Sequence, residues 1–199
     1  MPNYDITTAK LLFNSVISTN FSRFLGLDIK DFYLNTDMDD YEYMWLPRLI
    51  SPQDSIDENQ IEHLFINNRI LVEICKGMYD LPQAGKIAYI TLIKHLQLHG
   101  YTRAGFTPSL FKHAIHDTNF SLVVGDFGVK YTAKNDALHL IDTLKKKYPG
   151  INIDWSGRIF LGVHLDWYYT NRTIALSMPN YVNKALSRFQ HKKPKHDQH

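Results

Sequence analysis

The stretch Phe120-Ser-Leu-Val-Val-Gly-Asp-Phe-Gly-Val-Lys-Tyr131 restricts the fold more than any other part of the chain. Two apolar runs are hinged on Gly125-Asp126, the pattern of an antiparallel hairpin, because glycine reaches the positive φ that a tight primed turn requires. This reading puts one carboxylate, Asp126, at the hairpin tip. A turn acid of this kind is ordinary on its own, so its meaning depends on what else the chain brings to the hairpin.

Strand-like and helix-like pieces alternate along the rest of the sequence without a repeat, which predicts an α+β architecture. Residues 24–27 read as a short strand that ends in Asp28. Residues 41–46, stopped by Pro47, and residues 70–75 read as further strands, separated by a polar loop with a short helix near 61–65. The longest helix spans about 86–99, with Ile87, Ile90, Leu92 or Ile93, and Leu96 on its apolar side and Gly100 ending it. A second helix gathers Ala137, Leu140, Ile141 and Leu144 on one face and stops at Pro149-Gly150. Ile159, Leu161, Val163, Leu165 and Trp167 alternate along one strand, and Ile174, Leu176 and Met178 along the next. Ser177 is placed to cap a last helix with Pro179 in its first turn. Residues 1–190 are expected to form one domain, and residues 191–199 a basic tail without structure.

The chain has 199 residues, 44% of them hydrophobic, enough for a real core, so disorder over most of the length is excluded. With 22 Lys and Arg against 20 Asp and Glu, the formal charge of +2 gives no strong field for polyanions. Any nucleic-acid surface must come from local clustering, for which Lys130, Lys134 and Lys145 to Lys147 are the candidates. A single cysteine, Cys75, excludes a disulfide framework and a cysteine-rich zinc site, and fits a reducing compartment. The first residues lack the basic and apolar regions of a signal peptide, and no apolar run approaches bilayer length. A soluble protein without membrane association, in the cytoplasm or nucleus, is the expectation. His95 and His99 are spaced to share an ion and His113 and His116 flank a turn. Neither pair has a nearby Cys, and no Glu lies between the helical histidines, so surface histidines are expected and not a zinc site.

Asp28 and Asp126 both stand at strand ends. If their strands are neighbours in one antiparallel sheet, the two carboxylates converge on a divalent metal, as hard oxygen ligands do in phosphoryl-transfer sites. Spacing alone does not establish this, since among 20 acidic residues two unrelated surface aspartates fit as well.

Five stretches occur in a telling order: Leu27-Asp-Ile-Lys-Asp-Phe-Tyr-Leu34, Tyr41-Glu-Tyr-Met44, Lys76-Gly-Met-Tyr-Asp-Leu-Pro-Gln-Ala-Gly85, Val123-Val-Gly-Asp-Phe-Gly-Val129 and Phe160-Leu-Gly-Val163. Together, over nearly the whole chain, they resemble the reverse transcriptase domain of copia-type LTR retrotransposons. The resemblance implies a polymerase palm, an antiparallel sheet backed by helices, with part of the fingers. It implies Asp28 and Asp126 as catalytic, Mg²⁺-binding carboxylates. Tyr33 would close against the incoming sugar, Pro82 and Gln83 would contact the nucleotide, and Phe160, Leu161 and Gly162 would grip the primer end. The partners implied are an RNA or DNA template-primer and a deoxynucleotide, and the reaction is in-line attack of a primer 3′-hydroxyl on the α-phosphate, assisted by two Mg²⁺ ions.

The sequence departs from that pattern where it matters most. The family's hairpin carries two consecutive aspartates, the first being the principal metal ligand, and here that position is Gly125. Loss of a transition-state charge stabiliser costs about 2.7–4 kcal/mol, and a bound metal ligand should cost at least as much, so little or no polymerisation is predicted. Asp80 replaces a glycine of the family, at a turn where positive φ is expected. Only 27 residues precede Asp28, too few for the upstream fingers segment that clamps the triphosphate, so a truncated and degenerate copy is expected. The alternative is a non-catalytic nucleic-acid-binding or assembly module that retains the palm fold.

Overall fold

Strand β1 (Arg23–Ile29) is buried at nearly every position, which is why its sequence runs apolar without alternation. It is an interior strand with both faces covered. It pairs antiparallel with β7 (Asp126–Tyr131) on one side and β8 (Ile151–Asp154) on the other. The sheet continues outward from β7 through β6 (Thr118–Val123), β5 (Leu110–His113) and β4 (Tyr101–Arg103), every pairing antiparallel. In this computed structural model, residues 6–105, 107 and 109–190 are described. The fold is α+β, and the chain divides into two compact units, Asp31–Ile93 and a larger one formed by the residues on either side of it.

In the larger unit, helix α4 (Lys134–Lys145) packs along β6 and β7, and Ala137, Leu140, Ile141 and Leu144 are buried as their spacing predicts. Helix α1 (Ile6–Ser18) packs against the same two strands and buries Ala9, Leu12, Phe13 and Val16 in a cluster with Phe24, Phe160 and Leu165. Phe13 stands edge-on to Phe24, Phe160 and Trp167 at ring separations of 5.6, 6.3 and 5.8 Å. Edge-on aromatic pairs contribute about 0.5–1.5 kcal/mol each beyond their area, so this knot fixes the small sheet onto the large one. The small sheet has the order β11 (Thr173–Ser177), β10 (Val163–Tyr168), β9 (Ile159–Phe160).

The smaller unit is built on an antiparallel ribbon of β2 (Asp37–Pro47) and β3 (Arg69–Lys76), whose register shifts between Asp37 and Glu42. Helix α2 (Gln53–Asn59) and a 3-10 turn, Glu62–Leu64, lie between the two strands in sequence. Helix α3 (Pro82–Leu98) begins at Pro82, where a missing N–H costs nothing.

Several expectations change. The alternating run from Ile159 to Trp167 is two strands, because Leu161 and Gly162 form a two-residue turn with φ of +52° and +77°. Both positive angles match the primed turn whose twist suits a hairpin. The tip of the β6–β7 hairpin is Val124-Gly125, with Val123 opposite Asp126, so Asp126 opens β7 and does not sit in the turn. The positive φ, +58°, falls on Val124 and not on the glycine. The last helix, α5 (Pro179–Arg188), is preceded by Met178 with no side-chain cap, in place of Ser177. In α3, Ile90 is exposed while Ala88, Leu92 and Leu96 are buried. The tail expected at 191–199 lies outside the described residues.

Candidate functional site

Antiparallel register brings the two singled-out acids together. Asp28 of β1 is the cross-strand partner of Asp126 of β7, and on its other side it faces Asn152 of β8. Directly opposed residues project to the same face of a sheet, so Asp28, Asp126 and Asn152 form a polar row across three strands. Asn152 Nδ2 donates to Asp28 Oδ2 at 3.0 Å, which orients that carboxylate. Among the described residues no hydrogen-bond donor meets the Asp126 carboxylate. Burial, and then the charge of Asp28, push its pKa above the usual aspartate value. The row therefore holds negative charge that the protein itself leaves uncompensated.

This row lines a pocket of about 250 Å³ together with Gly26, Asp154 and the turn residues Phe160, Leu161 and Gly162. Gly128 explains how that turn comes so close: a Cβ there would stand 2.9 Å from the Phe160 ring. Phe160 is buried in the aromatic knot, whereas Leu161 and Gly162 project at the pocket edge. Asp154 also faces the pocket, but its oxygens accept from the backbone N–H of Ser156 at 2.9 Å and of Arg158 at 3.3 Å, closing the turn into β9. Gly125 supplies no side chain, and its carbonyl accepts from Ile29 N at 3.0 Å. The donor set, two carboxylates of which one lacks any donor, fits a single hard divalent cation such as Mg²⁺.

The other predicted positions lie in the smaller unit. Tyr33 and Pro82 line a shallow pocket with residues 78–81, Gly85 and Lys86. Tyr33 stacks edge-on to Tyr79 at 4.8 Å, and burial, then Tyr79, raise its pKa. Gln83 donates through Nε2 to Glu42 and ties α3 to β2. Asp80 has φ of +70°, the left-handed conformation expected where the resembled sequences carry glycine.

Lys130 is not available to a nucleic acid. Only 6% exposed, its ammonium donates to Ser15 Oγ and Thr19 Oγ1, each at 2.8 Å, and fastens α1 to β7. Lys134 lies over the Trp155 ring at 5.0 Å. Asn152 and Asp154 escaped the sequence reading because Ile151-Asn-Ile-Asp154 is a short, half-polar strand; its strict alternation was the available signal. His113 and His116, partly exposed and flanking the turn, also meet His139, a neighbour the sequence did not indicate, with ring separations of 4.6, 5.1 and 4.0 Å among the three. Burial, then the neighbouring imidazoles, lower the pKa of His139.

Fold and site define an α+β protein whose central antiparallel sheet carries a facing pair of aspartates at one end. No protein-family profile matches the chain, and no curated protein matches it. Among solved structures it is similar to apo telomerase from Candida tropicalis, with a TM-score of 0.48 and 12% identity over 87% of this chain. The chain spans 36% of the length of that one. No helix of the described residues is long and apolar enough to cross a membrane.

Proposed function

We propose that this chain is a reverse-transcriptase-like nucleotidyl-transfer domain of the copia retrotransposon type, whose metal site is one carboxylate short. The observation that carries the reading is the cross-strand pairing of Asp28 with Asp126 at the mouth of a pocket edged by Phe160, Leu161 and Gly162. Those residues belong to three of the five ordered sequence stretches that resemble the family. Asp28 and Asp126 would hold one Mg²⁺, which when bound supplies neutralisation of phosphate charge. Asn152 holds Asp28 in place, and the turn at Leu161-Gly162 presents backbone at the pocket edge where a primer terminus would rest. Within the smaller unit, taken by itself, Tyr33 and Pro82 line a separate pocket with an aromatic and an apolar side suited to a sugar and base, and Gln83 ties α3 to β2 there through Glu42.

Gly125 favours a second reading in the same fold, a non-catalytic module that binds template-primer or assembles on it. Primer extension on an RNA or DNA template with Mg²⁺ or Mn²⁺, comparing the unmodified chain with Gly125→Asp, separates the two. Gly125 has φ outside the left-handed region, so aspartate fits its backbone. Template-primer binding without extension by the unmodified chain, with extension appearing in Gly125→Asp, is the expected result. Extension by the unmodified chain would overturn the one-ligand-short reading, and absence of template-primer binding at low salt would overturn both. Binding that leaves Gly125→Asp inert supports the non-catalytic module.

A further inference from the structure

Three histidines meet at the end of β6 opposite to the hairpin that carries Asp126. His113 ends β5, His116 lies in the turn into β6, and His139 comes from α4. One nitrogen of each ring lies within 4.8 Å of a nitrogen of each other ring. All three are partly exposed, so an ion and its water can reach them. We propose that this cluster is a binding site for a borderline divalent cation of the Zn²⁺ class, distinct from the carboxylate row and independent of any polymerase reading.

The partners of the rings support that assignment. His116 Nδ1 pairs with Asp136 Oδ1 at 2.8 Å. A carboxylate on one imidazole nitrogen fixes the tautomer that leaves Nε2 as a lone-pair donor and raises its basicity, the usual support for a metal-bound histidine. Asp136 and His139 are three residues apart on α4, so the helix offers the supporting carboxylate and a ligand from one face. His139 Nδ1 lies 2.9 Å from the phenol oxygen of the buried Tyr101. With the proton on Nδ1 directed to that oxygen, His139 Nε2 is likewise free to ligate.

His113 is held differently. Its Nδ1 accepts from the N–H groups of Ile115 and His116, each at 3.0 Å, and its Nε2 meets His99 O at 3.0 Å. With its proton on Nε2 and directed to His99 O, His113 offers Nδ1 as the lone-pair nitrogen; it becomes the third ligand when the ion takes the place of the two amide N–H groups, which pass to water, and the exposed side leaves a fourth position for water. Zn–N bonds of about 2.0–2.1 Å set tetrahedral nitrogens about 3.3 Å apart, so the rings close in by roughly 1.5 Å through side-chain rotation. An ion bound there joins the β5–β6 turn to α4. Nitrogen donors without thiolate favour Zn²⁺, Co²⁺, Ni²⁺ or Cu²⁺ over Mg²⁺.

The test uses the full chain stripped with EDTA. Equilibrium dialysis with Zn²⁺ in an Asp28→Asn background, which weakens the carboxylate row, is expected to show one tightly bound ion per chain, and Co²⁺ to give the intense visible bands of a four-coordinate site. His116→Ala and His139→Ala should each weaken binding at least tenfold, Asp136→Asn by 10–100-fold, and His63→Ala, on the other unit, not at all. Circular dichroism before metal addition establishes that each variant is folded. Should a variant fail to fold, imidazole ¹⁵N shifts of the unmodified chain answer instead, since Zn²⁺ must move Nε2 of His116 and His139. No stoichiometric binding, binding within twofold of normal in folded His116→Ala and His139→Ala, or unmoved nitrogen shifts would each overturn the proposal.

Discussion

Lys130 offers a close check on how the larger unit is held together. Its ammonium is buried in a sheet face and met by two hydroxyls, Ser15 Oγ and Thr19 Oγ1. Hydrogen bonds to a charged group are worth about 1.5–3 kcal/mol each. Ser15 and Thr19 are themselves half-buried, so water replaces part of what is lost, and Ser15→Ala with Thr19→Val should cost about 2–4 kcal/mol. In a Lys130→Met background the same pair should cost under about 1 kcal/mol, because no charge is then stranded. The interaction energy of this cycle, about 2–3 kcal/mol, is measured by urea unfolding at constant m-value. Desolvation holds the Lys130 pKa below its usual value of 10.5. Between the lowered value and 10.5 the unfolded chain binds more protons, so stability rises with pH there. Lys130→Met removes this titration, so the stability of the unmodified chain relative to Lys130→Met should be lowest at neutral pH and rise as pH approaches the lysine range. Equal costs of the hydroxyl pair in both backgrounds, or a pH-independent gap, would refute this account of how α1 is fastened.

Val124→Gly should stabilise the chain by about 0.5–1 kcal/mol, since removing a left-handed Cβ gains about 1–2 kcal/mol and glycine returns part as entropy; thermal melting reads it as a rise of a few degrees. Phe160→Ala should cost about 3–5 kcal/mol, because a ring 4% exposed is lost from the knot with Phe13 and Phe24. The same substitution should loosen the 159–162 turn, seen as faster amide exchange at Leu161 and Gly162.

The residues differ in how plainly they announced their places. The stripe of α4 was readable because a helix buried on one face must repeat its apolar residues every three or four positions. Asp28 and Asp126 were readable as a pair only through the ordered stretches around them, since nothing local to either strand specifies its neighbour; the register Asp28–Asp126 is a long-range fact. Helix α1 gave little signal, as Ile6-Thr-Thr-Ala opens it with β-branched residues and no acid in its first turn. Leu161 defeated the alternation rule because a leucine adopted the left-handed turn position usually given to asparagine or glycine. The histidine cluster was hidden for the same reason as the carboxylate pairing: His116 and His139 come from a turn and a helix that only tertiary packing brings together.

The most direct measurement is a Mn²⁺ titration of the chain, followed by electron paramagnetic resonance of free Mn²⁺, in a His139→Ala background that silences the histidine site. One ion should bind, binding should fall at least tenfold in Asp28→Asn and in Asp126→Asn, and it should tighten in Gly125→Asp. Equal Mn²⁺ binding with and without either aspartate would contradict the shared carboxylate site on which the functional reading stands.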